Sequence, residues 1–231
     1  MKLKEKLDPE NFDKLKRIAE NNNMPKSIIL NRLLEDTYID PDYNNEELPL
    51  LLIEGESAAG KDTLAQILSI KHYLRPVCSY ATRPMRDGEK DGLQHKFITK
   101  EQADKIKAEK EIAAYTEIDN YEYFTTMEDI DSSDLYVIDP NGIDFFKKKY
   151  PDKNVFVIYV TASEETRTER AKLRGDKKTM IKSRFEDERK QFENLHNYDI
   201  MFTNDGSPEM LEKFADIIMD RRLNMRYKNV F

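Results

Sequence analysis

Residues 55–63 read Gly-Glu-Ser-Ala-Ala-Gly-Lys-Asp-Thr and follow directly on the apolar run Leu50-Leu51-Leu52-Ile53. A buried strand that ends in a glycine-rich turn and then opens a helix is a cradle for polyphosphate. The backbone N–H groups of the turn point inward, and the helix N-terminus adds partial positive charge. Gly55 and Gly60 permit the turn and the close approach of backbone to phosphate, with Ser57 between them, and Lys61 reaches the β and γ phosphates. Where such loops place a serine or threonine for Mg²⁺, this chain has Asp62, followed by Thr63. A carboxylate is a hard oxygen ligand, so Asp62 is a candidate Mg²⁺ ligand and ATP the expected nucleotide.

Three further stretches carry chemistry. Ser79 to Phe97, SYATRPMRDGEKDGLQHKF, places Arg83 and Arg86 in a loop with Gly-Glu and Asp-Gly pairs. Guanidinium forks suit a phosphate that must be held in one orientation. Leu135-Tyr136-Val137-Ile138 ends in Asp139, the form of a strand whose terminal carboxylate meets Mg²⁺ or its waters; alternatively Asp139 caps the helix near Asn141. Around Gly175, residues 165–184 are rich in arginine, a cationic stretch or else a solvated helix surface.

The elements that must position these groups alternate. Strands are expected over Leu50–Glu54, Pro76–Ala81, Ile112–Ile118, Tyr121–Thr126, Asp134–Asp139, Asn154–Thr161 and Ile200–Thr203, with helices after Gly60, Lys100, Asn141, Ala162, Lys177 and Ser207. That alternation predicts an α/β fold, a parallel sheet with helices on both faces and the phosphate loop at its carboxyl edge. Residues 1–38 read as a separate module, 39–48 (through Ile39-Asp40-Pro41) as a polar linker and 49–231 as the main domain. In the module, Lys2, Lys4 and Lys6 alternate with Leu3, Glu5 and Leu7, and two short amphipathic helices follow. This resembles a ribbon-helix-helix module, which implies a homodimer through residues 1–38. DNA contact through the lysines is the lesser expectation, because basic and acidic residues in the module nearly balance.

Charged residues make up 36% of the chain and hydrophobic ones 39%, with a formal net charge of −7. No apolar run approaches the ~20 residues that span a membrane. The charged N-terminus and the single cysteine, Cys78, fit a reducing cytoplasm, and Cys78 reads as a small buried side chain.

Over roughly residues 50–225 the chain resembles the guanylate kinase family of P-loop nucleoside monophosphate kinases. Ser79, Thr82, Arg83, Arg86, Gly88, Glu89, Gly92 and Phe97 stand in register with the family's S-x-x-T-R-x-x-R-x-G-E-x-x-G-x-x-Y-x-F segment. The resemblance implies a P-loop domain with a small acceptor-binding β subdomain and an arginine-rich lid. By it, Arg83 and Arg86 bind the acceptor phosphate, Ser79 lies near the acceptor base, and His95 takes the place of a phosphate-binding tyrosine. Tyr123 and Thr125 contact phosphate and base, Arg170, Arg174 and Arg184 are lid residues, and Asn204 lies against adenine. Asp139 matches the second aspartate of a D-x-D-x-x-G segment whose first is replaced by Val137.

One departure bears on specificity. Ala114 stands where the family has the glutamate that reads guanine, and Glu117 falls on the opposite side of an extended strand. The expected reaction is ATP- and Mg²⁺-dependent transfer to a nucleoside monophosphate or another phosphorylated small molecule. Ribose bisphosphate, a phage deoxynucleotide or a modified base in DNA remain alternative acceptors. A nucleotide-sensing DNA-binding regulator or scaffold is the alternative of another class.

Overall fold

A computed structural model describes residues 48–86, 88–93, 95–176, 178–192 and 197–226. The ribbon-helix-helix reading of 1–38 and nearly all of the linker lie outside the described residues.

Strand β1 (Leu50–Gly55) is buried along its whole length, which explains a run of apolar residues without alternation. It lies between β6 (Leu135–Val137) and β7 (Val155–Thr161), and β8 (Ile200–Thr203) pairs with the far side of β7. All three pairings are parallel, with Leu51 opposite Leu135 on one side and Phe156 on the other. One face packs on α1 (Lys61–Lys71) and α7 (Pro208–Arg226) through Leu51, Ile53, Leu64, Leu68, Phe214 and Ile218. The other packs on α4 (Pro140–Lys149) through Leu52, Val157, Ile143 and Phe146.

A second sheet has the order β3 (His95–Phe97), β2 (Ser79–Ala81), β5 (Tyr121–Thr126) and β4 (Ile112–Ile118). Strands β4 and β5 are joined by Asp119-Asn120, both at positive φ (54° and 63°). Paired left-handed residues give the tight turn that matches strand twist, and Asp and Asn tolerate it best. The order of elements is completed by α2 (Lys100–Glu109), α3 (Met127–Asp131), α5 (Glu164–Leu173) and α6 (Lys178–Phe192).

Three details differ from expectation. The single strand expected at Pro76–Ala81 is divided: Pro76 bridges to Leu135 beside the parallel sheet, while Ser79–Ala81 belongs to the second sheet. The strand expected to reach Asp139 stops at Val137, because Pro140 opens α4 with Asp139 as its cap. Elements β3 and α3 were not expected; α3 is short but carries a capping box between Thr126 and Asp129.

Opposite the carboxyl edge, Asp134 ties three segments together. Arg75 donates to it through its backbone N (2.9 Å) and Nε (2.8 Å), and Arg222 on α7, itself 3% exposed, stands 3.7 Å away while donating to Pro49 O. Burial alone would raise the carboxyl's pKa; the bonds from Arg75 outweigh it and lower it below the ordinary value. A depressed folded-state pKa means that the stabilisation is present above the unfolded carboxylate range and is lost as pH falls through the folded value. Asp134→Ala should therefore cost about 3 kcal/mol in denaturant unfolding at pH 7, by stranding buried charge. Its deficit should narrow in acid.

Candidate active site

The carboxyl ends of β1, β6 and β7 meet at one edge, and β1 delivers the phosphate loop there. A Cβ on Gly55 would fall 2.1 Å from the Val160 carbonyl oxygen, so only glycine lets the loop leave beside β7. Ala58 (φ 62°) and Gly60 (φ 107°) adopt left-handed conformations, and Gly60 opens α1 with no side-chain cap. The first N–H groups of α1 therefore remain open toward an anion. Lys61 is half-buried at this end, while Asp62 and Thr63 are exposed.

The outward N–H groups require the carbonyls to turn the other way, and those carbonyls are held from beneath. Asn204, 4% exposed, donates Nδ2 to Ala59 O at 2.8 Å. Arg170 donates to Ala59 O (3.3 Å), Ala58 O (3.5 Å) and Asn204 O (2.9 Å). Glu56 accepts from Tyr159 Oη at 2.9 Å and Thr161 Oγ1 at 3.3 Å, anchoring the loop to β7. Asn204 and Arg170 thus stand beneath the loop and bind its peptide groups.

Helices α5 and α6 rest on this loop, with Ala58 packed against Ala171, Ile181 and Phe185. Glu188 of α6 accepts from both the backbone N and the hydroxyl of Ser57. Its other oxygen accepts from Arg167, whose guanidinium lies 4.3 Å over the Phe185 ring. A carboxylate thus lies on an N–H of the anion cradle. Arg174 donates to Asp176 at 3.1 Å, and Arg184 lies 4.0 Å from the same carboxylate. Arg86 feels burial first and then Arg83 and Arg184, all lowering its pKa; Arg174, raised chiefly by Asp176, also feels Asp62 and Glu188. Arg86 therefore shares a field with Arg83 and Arg184, and Arg174 shares one with Asp62.

On the acceptor side Arg83, 7% exposed, makes a bidentate fork with Glu89 (2.6 Å each) and lies 5.0 Å from the Phe97 ring. Glu89 also accepts from the Arg86 backbone N at 2.8 Å. Burial opposes ionisation of Glu89, but these bonds prevail and lower its pKa to about 2. The loop is preformed, with Arg86 only partly desolvated at its tip. Ser79 Oγ and His95 Nδ1 are 2.8 Å apart, and His95 packs edge-on to Tyr123. Burial and then Arg83 depress the His95 pKa, so its ring is neutral at pH 7.

Thr125 is fully buried with no partner for its hydroxyl, directly across the strand pair from Ala114. Glu117 is exposed and accepts from Tyr115 Oη at 3.4 Å, so it does not supply the carboxylate lacking at 114. Asp139 accepts from Asn141 N (3.0 Å) and Gly142 N (3.2 Å), capping α4, and burial raises its pKa. No cluster of three His, Cys, Asp or Glu forms a metal cage among the described residues. Mg²⁺ held between phosphates, waters and a single carboxylate needs no cage, and exposed Asp62 beside Lys61 suits that role.

Sequence reasoning passed over Glu54, Glu56, Arg167 and Glu188. Glu54 had a visible signal, an acid ending an apolar strand directly before the first glycine; the Ser57–Glu188 contact, 131 positions apart, had none. Removing the Glu188 charge frees an N–H that phosphate would otherwise have to win. Glu188→Ala should tighten Mg-ATP binding by about tenfold in calorimetric titration, the equivalent of one hydrogen bond to a charged group. Unchanged or weaker binding would show that this contact does not compete with nucleotide.

The guanylate kinase family model matches residues 48–221. Guanylate kinase of Syntrophotalea carbinolica is 32% identical over 178 residues, covering 74% of this chain and 84% of that protein. Guanylate kinase of Helicobacter pylori is 30% identical over 187 residues, covering 76% and 86%. The crystal structure of guanylate kinase from Anaplasma phagocytophilum superposes with a TM-score of 0.50 at 18% identity, over 76% of this chain and 87% of that one, a likeness of fold. With the matched model spanning most of the chain and the phosphate loop facing an arginine-bearing acceptor loop, the protein belongs to the guanylate kinase family of nucleoside monophosphate kinases.

Proposed function

We propose that this kinase transfers the γ-phosphoryl group of ATP directly to the phosphate of a guanine-type nucleoside monophosphate, GMP or dGMP. The observation that carries the reading is the convergence of the open α1 N-terminus with Arg83, Arg86, Arg174 and Arg184, two anion sites facing each other. The guanylate kinase relatives support the guanine acceptor.

In-line transfer between phosphates asks for positioning and charge stabilisation rather than covalent participation. Lys61 draws the γ-phosphate toward the loop N–H groups. Arg86 orients the acceptor phosphate, with Arg83, whose fork Glu89 holds, adding positive charge behind it and Tyr123 and neutral His95 beside them. The α5–α6 lid excludes water and brings Arg174 and Arg184 over the transferring group. Asp62 and Asp139 would hold Mg²⁺, which when bound would supply neutralisation of the phosphate charge. Ser79 and Thr125 are the residues assigned to the base. Among the described residues no helix is long and apolar enough to cross a membrane.

A coupled ADP-release assay with Mg-ATP against ribo- and deoxyribonucleoside monophosphates tests this. Turnover is expected with GMP or dGMP, and Lys61→Ala should lower kcat by about 10² to 10³, the loss typical of one charge-stabilising donor. A Lys61→Ala enzyme that keeps more than about a tenth of wild-type kcat would contradict these roles.

A further inference from the structure

Glu54 is the penultimate residue of β1, immediately before Gly55. It is 1% exposed, and both of its carboxylate oxygens are buried without a hydrogen-bond partner. No other carboxylate among the described residues is in that state. Asp134 has Arg75, Glu122 has Lys107 at 2.6 Å, and Asp139 has the N-terminus of α4. A buried acid left unbonded is costly and is kept only where something else depends on it.

Its placement says what that is. Alternation along β1 puts Leu50, Leu52 and Glu54 on one face, and Leu50 and Leu52 pack with Ala114, Tyr136, Ile138 and Val157. Glu54 therefore belongs to the wall that carries Ala114, at the end of that wall nearest the phosphate loop. Thr125, across the strand pair from Ala114, holds a further buried polar atom without a partner on the acceptor side, besides Arg83 Nε. The charges that bear on Glu54 are Lys147 and Asp144 of α4 and Asp139 at its cap. Tyr159 stands opposite on β7 but donates its hydroxyl to Glu56. Burial, reinforced by Asp144 and Asp139 and opposed by Lys147, pushes the Glu54 carboxyl up to about 7.

We propose that Glu54 is a specificity-determining residue of the acceptor site, its carboxyl accepting hydrogen bonds from donor groups of the bound nucleotide, a task that Ala114 cannot perform. This rests on the proposed function, because it takes the acceptor to be a nucleoside monophosphate. The donors are either base N–H groups or sugar hydroxyls, and a small panel separates them: GMP, IMP, which lacks the exocyclic amine, dGMP, which lacks the 2′-hydroxyl, and AMP.

The test is equilibrium binding of these monophosphates to the full chain and to its Glu54→Gln and Glu54→Leu variants, with thermal unfolding alongside. Both variants should lose about tenfold or more in affinity for the member that wild type prefers, and the panel's discrimination should flatten. A penalty that disappears with IMP assigns the contact to the base amine; one that disappears with dGMP assigns it to the sugar. Glu54→Leu should also raise Tm, because it removes an unbonded buried acid, whereas a merely structural role would lower it. Affinities and ranking within twofold of wild type in both variants would overturn the inference. Glu54-dependent binding without any phosphoryl transfer would contradict the proposed reaction and leave the inference standing. No binding of any member would overturn both.

Discussion

Everything in this site depends on a loop whose peptide groups are turned so that N–H faces the ligand and C=O faces the protein. Such a loop is not self-sufficient: the carbonyls of Ala58 and Ala59 need partners inside the domain. Asn204, just past β8, and Arg170, on α5, provide them. Gly60 lacks a Cβ that would otherwise fall 2.3 Å from Asn204 Nδ2, so the same glycine permits both the turn and its support. The sheet order follows from this demand, since β7 must lie between β1 and β8 to bring Thr161 and Asn204 beneath the loop.

Charge is organised against the average of the chain. A net charge of −7 coexists with an edge where Lys61, Arg83, Arg86, Arg174 and Arg184 converge. Counter-charges hold that edge together before substrates arrive: Glu89 fixes Arg83, Asp176 fixes Arg174, and Glu188 rests on Ser57 with Arg167 behind it. Preset side chains reduce the ordering that substrate binding must impose. Acidic partners also make the cationic edge tolerable in a folded chain without phosphate, because like charges are separated by opposite ones.

Much of this was legible in the sequence, for identifiable reasons. The run Leu50–Ile53 with Gly55, Gly60 and Lys61 specifies strand, turn and helix by local chemistry alone, whereas the Arg83–Glu89 fork, although it spans only six positions, was not read from the loop. Less legible were features whose cause is distant or small. Strand β3 is three half-buried residues, His95–Phe97, that exist as a strand because β2 lies beside them. Segment Pro76–Ala81 reads as one strand, yet its ends pair in different sheets. Asn204 carries no local sign of its bond to Ala59, 145 positions earlier. Ala114 announces a missing carboxylate, but only burial and the absence of partners single out Glu54.

Asn204 and Arg170 hold the phosphate loop in its anion-binding shape from beneath. The most direct measurement is calorimetric binding of ATP and of inorganic triphosphate to wild type and to Asn204→Ala. If Asn204 acts through the loop carbonyl, both ligands should weaken by the same factor, about tenfold for one buried hydrogen bond and its stranded partner. Triphosphate binding that stays at the wild-type value while ATP alone weakens would place Asn204 against the adenine and contradict the account.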